Sequence, residues 1–198
     1  MARPRAFNEA VVIETAMTCF WLDGYEATSV RELGERMGLT SASLYNAFGD
    51  KHALFGRSLQ HYVEHNTSAR IARFEALNPP RDAIVLFLGD IIERSLSDPD
   101  RRGCFLVNSA LELAPHDAEF AAIVVDGLNQ LEGFFRRSAV AGQKSGTISR
   151  EMPAEDIGRA CLGALISIRV LARSRPEKAL FEGLLRSVIA MLDLRGPC

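Results

Sequence analysis

Cysteine is scarce. The 198-residue chain has four, at 19, 104, 161 and 198, and no two form a C-x-x-C pair. That spacing offers neither a disulfide framework nor a cysteine-rich zinc site. An unbroken apolar run of membrane-spanning length is missing, and the charged start Met1-Ala-Arg-Pro-Arg5 lacks the apolar stretch of a signal peptide, so the expectation is a cytoplasmic protein. Alternating strand patterns are nearly absent; the run at 123–125 is too short to count. Charge of one sign is not in excess, with 23 Lys and Arg against 25 Asp and Glu, which argues against a protein that coats polyanions wholesale. Repeats and low-complexity tracts are lacking, and an apolar fraction of 47% beside 24% charged residues excludes disorder as the main state. Neither a nucleophile elbow nor a glycine-rich phosphate loop is found, so no enzyme and no cofactor is expected. His61 and His65 stand four apart on one helix, but without a third ligand nearby they read as a solvated face, and no metal is expected.

What is present is helical periodicity cut by proline and glycine. The spacing predicts helices over 7–22, 28–37, 41–48, 51–77, 82–97, 104–113, 118–142, 153–172 and 177–194. Gly24, Gly38, Gly49, Pro79-Pro80, Pro99, Pro115, Pro153 and Pro176 fall at or near the breaks. The reading is an all-α protein: a small N-terminal three-helix unit over 1–50, joined through the long fourth helix to a larger helical bundle over 51–198.

The most informative stretch runs from Thr28 to Phe48. Thr28 or Ser29 can cap its first helix, and Glu32 stands three residues after Ser29, as a capping box requires. Gly38 suits the left-handed position past a helix end, and small Gly34 lets two helices cross closely. Val30, Leu33, Leu39, Leu44 and Phe48 make a shared core. Thr40, Ser41, Ser43, Tyr45 and Asn46 are left on the outer face of the second helix, a hydrogen-bonding surface suited to phosphates and base edges. Two short helices joined by a tight glycine turn, after an earlier packing helix, meet the needs of a DNA-reading helix-turn-helix. Charge does not settle the matter, because residues 1–57 carry six Lys and Arg against seven Asp and Glu.

Residues 7–60 resemble the N-terminal domain of TetR-family transcriptional regulators. The matching run is Gly24-Tyr25-x-x-Thr28-Ser29-Val30-x-x-Leu33, then Gly38-Leu39, Leu44-Tyr45, Phe48, Lys51 and Leu54. One departure is Gly34, where the family usually has Ala, at a slight helix cost. The resemblance implies that Thr28, Tyr45 and Lys51 contact phosphates. Arg31 matches a position that reaches a base in the major groove, and Thr40 and Ser41 open the recognition helix near base edges. Ser43 can bond either, and Ala47 lies where some members carry a larger base-reading side chain. Arg3 and Arg5 form either an arm toward the minor groove or a plain tail.

In the remaining two thirds the family match is one of size and helical content. A single helix-turn-helix makes few base contacts, so specific affinity demands a dimer on two half-sites of a palindromic operator. The dimer expectation rests on 160–172, where only Ser167 and Arg169 break a run of small or apolar residues, and on the wide apolar stripe of 177–194. The family implies a small-molecule effector in the bundle, and Phe87, Cys104, Phe105, Phe120 and Phe134 are candidate pocket residues, with Leu106 and Phe135 beside them. Cys104 stands at a helix start after Arg101 and Arg102, a setting that favours thiolate and makes it the expected most reactive of the four thiols. The principal expectation is a homodimeric, ligand-responsive regulator that acts as a repressor. The alternatives are the same scaffold sensing electrophiles or oxidants through Cys104, and a helical ligand-binding protein or enzyme with a vestigial helix-turn-helix.

Overall fold

The structure is a computed structural model that describes residues 7–193, and among these every regular element is helical. Helix α1 (Glu9–Asp23) starts where the Asn8 side chain accepts from the Ala10 N–H, and stops at Gly24. Helix α2 (Val30–Met37) opens on a complete capping box: the Ser29 hydroxyl accepts from the Glu32 N–H, and the Glu32 carboxylate accepts from the Ser29 N–H. Gly38 is left-handed at φ 65°, and helix α3 (Ser41–Phe48) follows at once, capped by the Thr40 side chain. Leu33, Leu44 and Phe48 are buried in one core with Ala16 and Phe20 of α1.

Helix α4 (Lys51–Tyr62), capped by Asp50, runs on through a π-helical stretch over 63–68 into α5 (Ala69–Leu77). The course over 51–77 is the single rod that periodicity predicts; the widened turn in its middle is not. There the Ser68 hydroxyl donates to the Val63 carbonyl, five residues back. The bundle continues with α6 (Pro80–Ser97), α7 (Phe105–Glu112), α8 (Ala118–Ser145), α9 (Ala154–Ser174) and α10 (Lys178–Leu192). Counting the rod over 51–77 as one, the described residues form nine helices, as the breaks predict. The predicted stop at Gly142 moves to the left-handed Gly146. Gly142 lies inside α8, where a Cβ would come within 2.4 Å of the Ile148 side chain, so this glycine makes room for the returning chain rather than ending the helix. The predicted end of the last helix at Leu194 lies outside the described residues, as do Arg3, Arg5 and Cys198.

An aromatic seam joins the first helices to the bundle. Phe55 of α4 lies 5.1 Å from Phe20 of α1, 5.3 Å from Phe105 of α7 and 4.8 Å from Phe120 of α8, ring centre to ring centre. Tyr25 closes the seam at 5.9 Å from Phe120. Such contacts transmit displacement because packed rings have no slack. Among the described residues no helix is long and apolar enough to cross a membrane.

Candidate functional site

The outer face of α2 and α3 carries the predicted set unevenly. Arg31 is well exposed, with its guanidinium 3.4 Å from Glu35 one turn on. Tyr45 and Asn46 are exposed, Ser41 is half-buried, and the Tyr45 ring stands 49% clear of the protein. Thr40 and Ser43 bond each other across 2.9 Å at the start of α3, so their hydroxyls serve the cap as well as the surface. Lys51, at the base of α4, folds back 4.4 Å above the Tyr25 ring with its ammonium 3.4 Å from the Glu26 carbonyl. Thr28 differs from the rest. It is buried, and its hydroxyl donates to the Gly24 carbonyl at 2.6 Å, so it closes the turn before α2 instead of facing outward. Part of the charge over these helices is paired: Arg36 binds Asp23 at 2.9 Å, Arg57 binds Glu9, and Glu32 is taken up by the capping box. The Ser29 N–H and hydroxyl hold the Glu32 carboxyl below its usual range. Gly34 lies where a Cβ would meet the Leu39 carbonyl oxygen at 2.6 Å, so its missing side chain lets the turn into α3 close against α2.

In the bundle the predicted pocket residues separate. Phe87 and Phe134 are fully buried and lie 4.9 Å apart, with Phe74 and Phe135 around them. Phe120 borders a cleft of about 680 Å³ between the first helices and the bundle, where His52 stacks on it at 4.4 Å and reaches Asp117 at 2.7 Å. Phe105 borders a smaller space of about 140 Å³ with Trp21 and Phe55. Cys104 caps α7 as the sequence places it, but its predicted reactivity is corrected by its surroundings. It is buried at 6%, and its sulfur lies 3.4 Å from the Tyr62 hydroxyl. Neither arginine is set for it: the Arg102 guanidinium is bound to Asp98 at 3.2 Å and lies over Trp21, and Arg101 points to solvent. Cys19 and Cys161 are buried too, and burial pushes the Cys161 thiol up to about 12.

The family model for bacterial regulatory proteins of the tetR family matches residues 12–57. The uncharacterized HTH-type transcriptional regulator YezE of Bacillus subtilis is 33% identical over 155 residues, covering 76% of this chain and 78% of YezE. The chain belongs to the TetR family. A second relative, the HTH-type transcriptional repressor ComR of Escherichia coli, is 30% identical over 120 residues, 60% of this chain and 57% of ComR. In overall structure the chain is similar to a cysteine mutant of the TetR family regulator CifR complexed with a 26-base-pair double-strand operator. The TM-score is 0.80 at 28% identity, covering 98% of this chain and 100% of that one.

The TetR resemblance gave no pointer to the group around Tyr62. Trp21, Tyr62, Asn66, Arg70, Arg102 and Arg169 line a cavity of about 280 Å³ between α1, the rod over 51–77, the loop before α7, and α9. The one available signal was Arg169, a lone cation in an otherwise apolar stretch.

Proposed function

We propose that this TetR-family protein is a homodimeric, ligand-responsive transcriptional repressor that binds a palindromic DNA operator. The observation that carries the reading is the outward face of α2 and α3. It offers exposed Arg31, Tyr45 and Asn46 beside Ser41, with Thr40 and Ser43 at the helix start and Lys51 at its flank. The operator complex of CifR and the repressor names of ComR and of BdcR from Escherichia coli support it. In this reading Tyr45 and Lys51 bind phosphates, Arg31 and Ser41 read bases, and Thr28 acts by holding the turn before α2. Residues 1–50 bind DNA with Lys51 at their border, and residues 51–198 bind effector and partner.

The dimer uses α9 and α10, which leave Leu162, Ile166, Leu184 and Leu185 only partly covered and Val170 40% exposed. Effector release follows linkage: a ligand that prefers a bundle state with wrongly spaced recognition helices lowers operator affinity by the same factor. The aromatic seam is the physical connection. Selection of duplexes from a random library should return two half-sites in inverted repeat. Recovery of no preferred duplex would overturn the reading in favour of a helical ligand-binding protein.

The alternative reading, a thiol sensor on the same scaffold, is disfavoured by the burial of the Cys104 sulfur against Tyr62. Loss of DNA binding on treatment with an alkylator, absent in Cys104→Ser, would establish it.

A further inference from the structure

The cavity of about 280 Å³ beside Tyr62 is lined by four arginines, 70, 94, 102 and 169, and by one carboxylate, Asp98. That carboxylate is already engaged: Asp98 accepts from the Arg102 side chain at 3.2 Å and from its N–H at 2.9 Å. Arg70 and Arg94 share a single carboxylate, Asp90, at 3.4 and 3.0 Å, and Arg73 draws on the same group at 3.5 Å. Arg169 has none. It is buried at 6%, and among the described residues no carboxylate lies within ion-pair distance of it. Its guanidinium has five donors, and among the described residues its hydrogen bonds run from Nη1, to Ser95 Oγ at 3.2 Å and the Gly103 carbonyl at 3.5 Å.

Tyr62 does not supply the missing negative charge. It is buried, and burial pushes its phenol far above the usual range, so it stands as a neutral hydroxyl at the cavity wall. Burial is also the largest cause holding the Arg70 guanidinium below its ordinary value, and Arg169 and Arg94 push in the same direction. A buried guanidinium without a counter-ion is costly, and planar N–H forks match oxyanions in geometry.

We propose that this cavity binds a small organic molecule through an oxyanion, a carboxylate or a phosphate ester, held by Arg169 and Arg70 with Trp21 and Tyr62 against its body. The proposal rests on the effector-responsive reading and names the chemical class of that effector. Trp21 belongs to α1 and Tyr62 to α4, so occupancy acts directly on the helices that carry the DNA-facing unit.

Calorimetric titration of the full chain with benzoate, succinate and inorganic phosphate tests it, with benzamide and succinamide as neutral counterparts. At least one anion should bind and the amides should not; whether a carboxylate or phosphate binds assigns the group. Arg169→Gln should weaken that binding about ten- to a hundredfold, the worth of a charge-assisted pair. Arg70→Gln should weaken it as well, and it carries the test if Arg169→Gln fails to fold by circular dichroism. In ligand-free protein Arg169→Met should hold or raise Tm, because it removes an uncompensated charge. No binding by any anion at millimolar concentration, equal binding of the amides, or undiminished binding in both variants would overturn the site. A steep fall in Tm for Arg169→Met would do the same, since the cation would then be structural. The readout needs no DNA. Operator binding without anion binding overturns this site alone, and anion binding without operator binding overturns the regulator reading alone.

Discussion

A missing methyl group sets the geometry between α2 and α3. Gly34→Ala would place a Cβ 2.6 Å from the Leu39 carbonyl oxygen, a backbone atom that moves only if the turn moves. Overpacking of this kind costs about 1–3 kcal/mol, so Tm should fall and the turn into α3 should shift to admit the added methyl group. Gly38→Ala makes a useful contrast: nothing lies within 4 Å, but φ is +65°. Its cost of roughly 1 kcal/mol comes from left-handed backbone alone and should leave the α2–α3 crossing intact. Urea denaturation of both variants, with operator affinity measured alongside, separates the two effects; equal stability of Gly34→Ala and the parent would disprove the crowding argument. The sequence made Gly34 legible as a close approach but not its partner atom. Other residues were less legible because their surroundings come from far along the chain. Cys104 could be placed on a helix start, but its cover is Tyr62, 42 positions away. Arg169 read only as a break in an apolar run, since Ser95 and Gly103, which it contacts, lie 74 and 66 positions off. In folded protein iodoacetamide should therefore label Cys19, Cys104 and Cys161 slowly, and all three at comparable rates only once denaturant is added. Rapid labelling of Cys104 in native protein would contradict its burial.

At the level of the helix, caps and breaks were the legible features. The Ser29–Glu32 box, Gly38 and the proline boundaries are local, so their spacing alone locates α2, α3 and the ends of the bundle helices. The π-helical turn over 63–68 was not legible, because the periodic pattern on either side continues through it. Caps also carry a pH signature. Asp117 caps α8, accepting from the Glu119 and Phe120 N–H groups, and its carboxyl lies below the usual range, first through the Phe120 N–H and then through His52. A lowered folded pKa adds stability that is present above the unfolded value near ~3.9 and is lost as pH falls through the folded value. Glu32 follows the same sign around an unfolded value near ~4.3. Tm measured from neutral pH downward should fall through this acid range, and Asp117→Asn should flatten part of that fall. On DNA, helix position divides the work. Lys51→Ala and Tyr45→Phe should weaken binding to every sequence, with Lys51→Ala lowering the salt slope by about one unit. Arg31→Ala and Ser41→Ala should relax preference at particular base pairs, by about 1–3 kcal/mol for a bidentate contact. Uniform losses at all four positions, measured by anisotropy on operator and scrambled duplexes, would refute the division.

For the whole molecule, apolar patterning predicted a buried face on α9 and α10 but could not say which residues face the chain's own core. The reason is that 160–172 is apolar nearly all round, so periodicity marks no single side. The structure separates them. Leu165 and Ile168 are buried, at 2% and 0% exposure, while Ile166, one turn from Val170 along the same helix face, is half-buried and Val170 is 40% exposed. A partner copy packed against α9 and α10 is expected to complete the cover of Ile166, Val170, Leu184 and Leu185, which a lone chain covers only in part. Sedimentation at micromolar concentration should therefore give about twice the 21.8 kDa chain mass. Ile166→Asp should yield a monomer of unchanged helicity with little loss of Tm, whereas Leu165→Asp should unfold the bundle by burying an unpaired charge. The Ile166→Asp monomer should also lose specific operator affinity, since one helix-turn-helix reads only one half-site. A parent chain that sediments as a monomer and still binds operator tightly would defeat the assignment, as would an Ile166→Asp protein that remains a dimer.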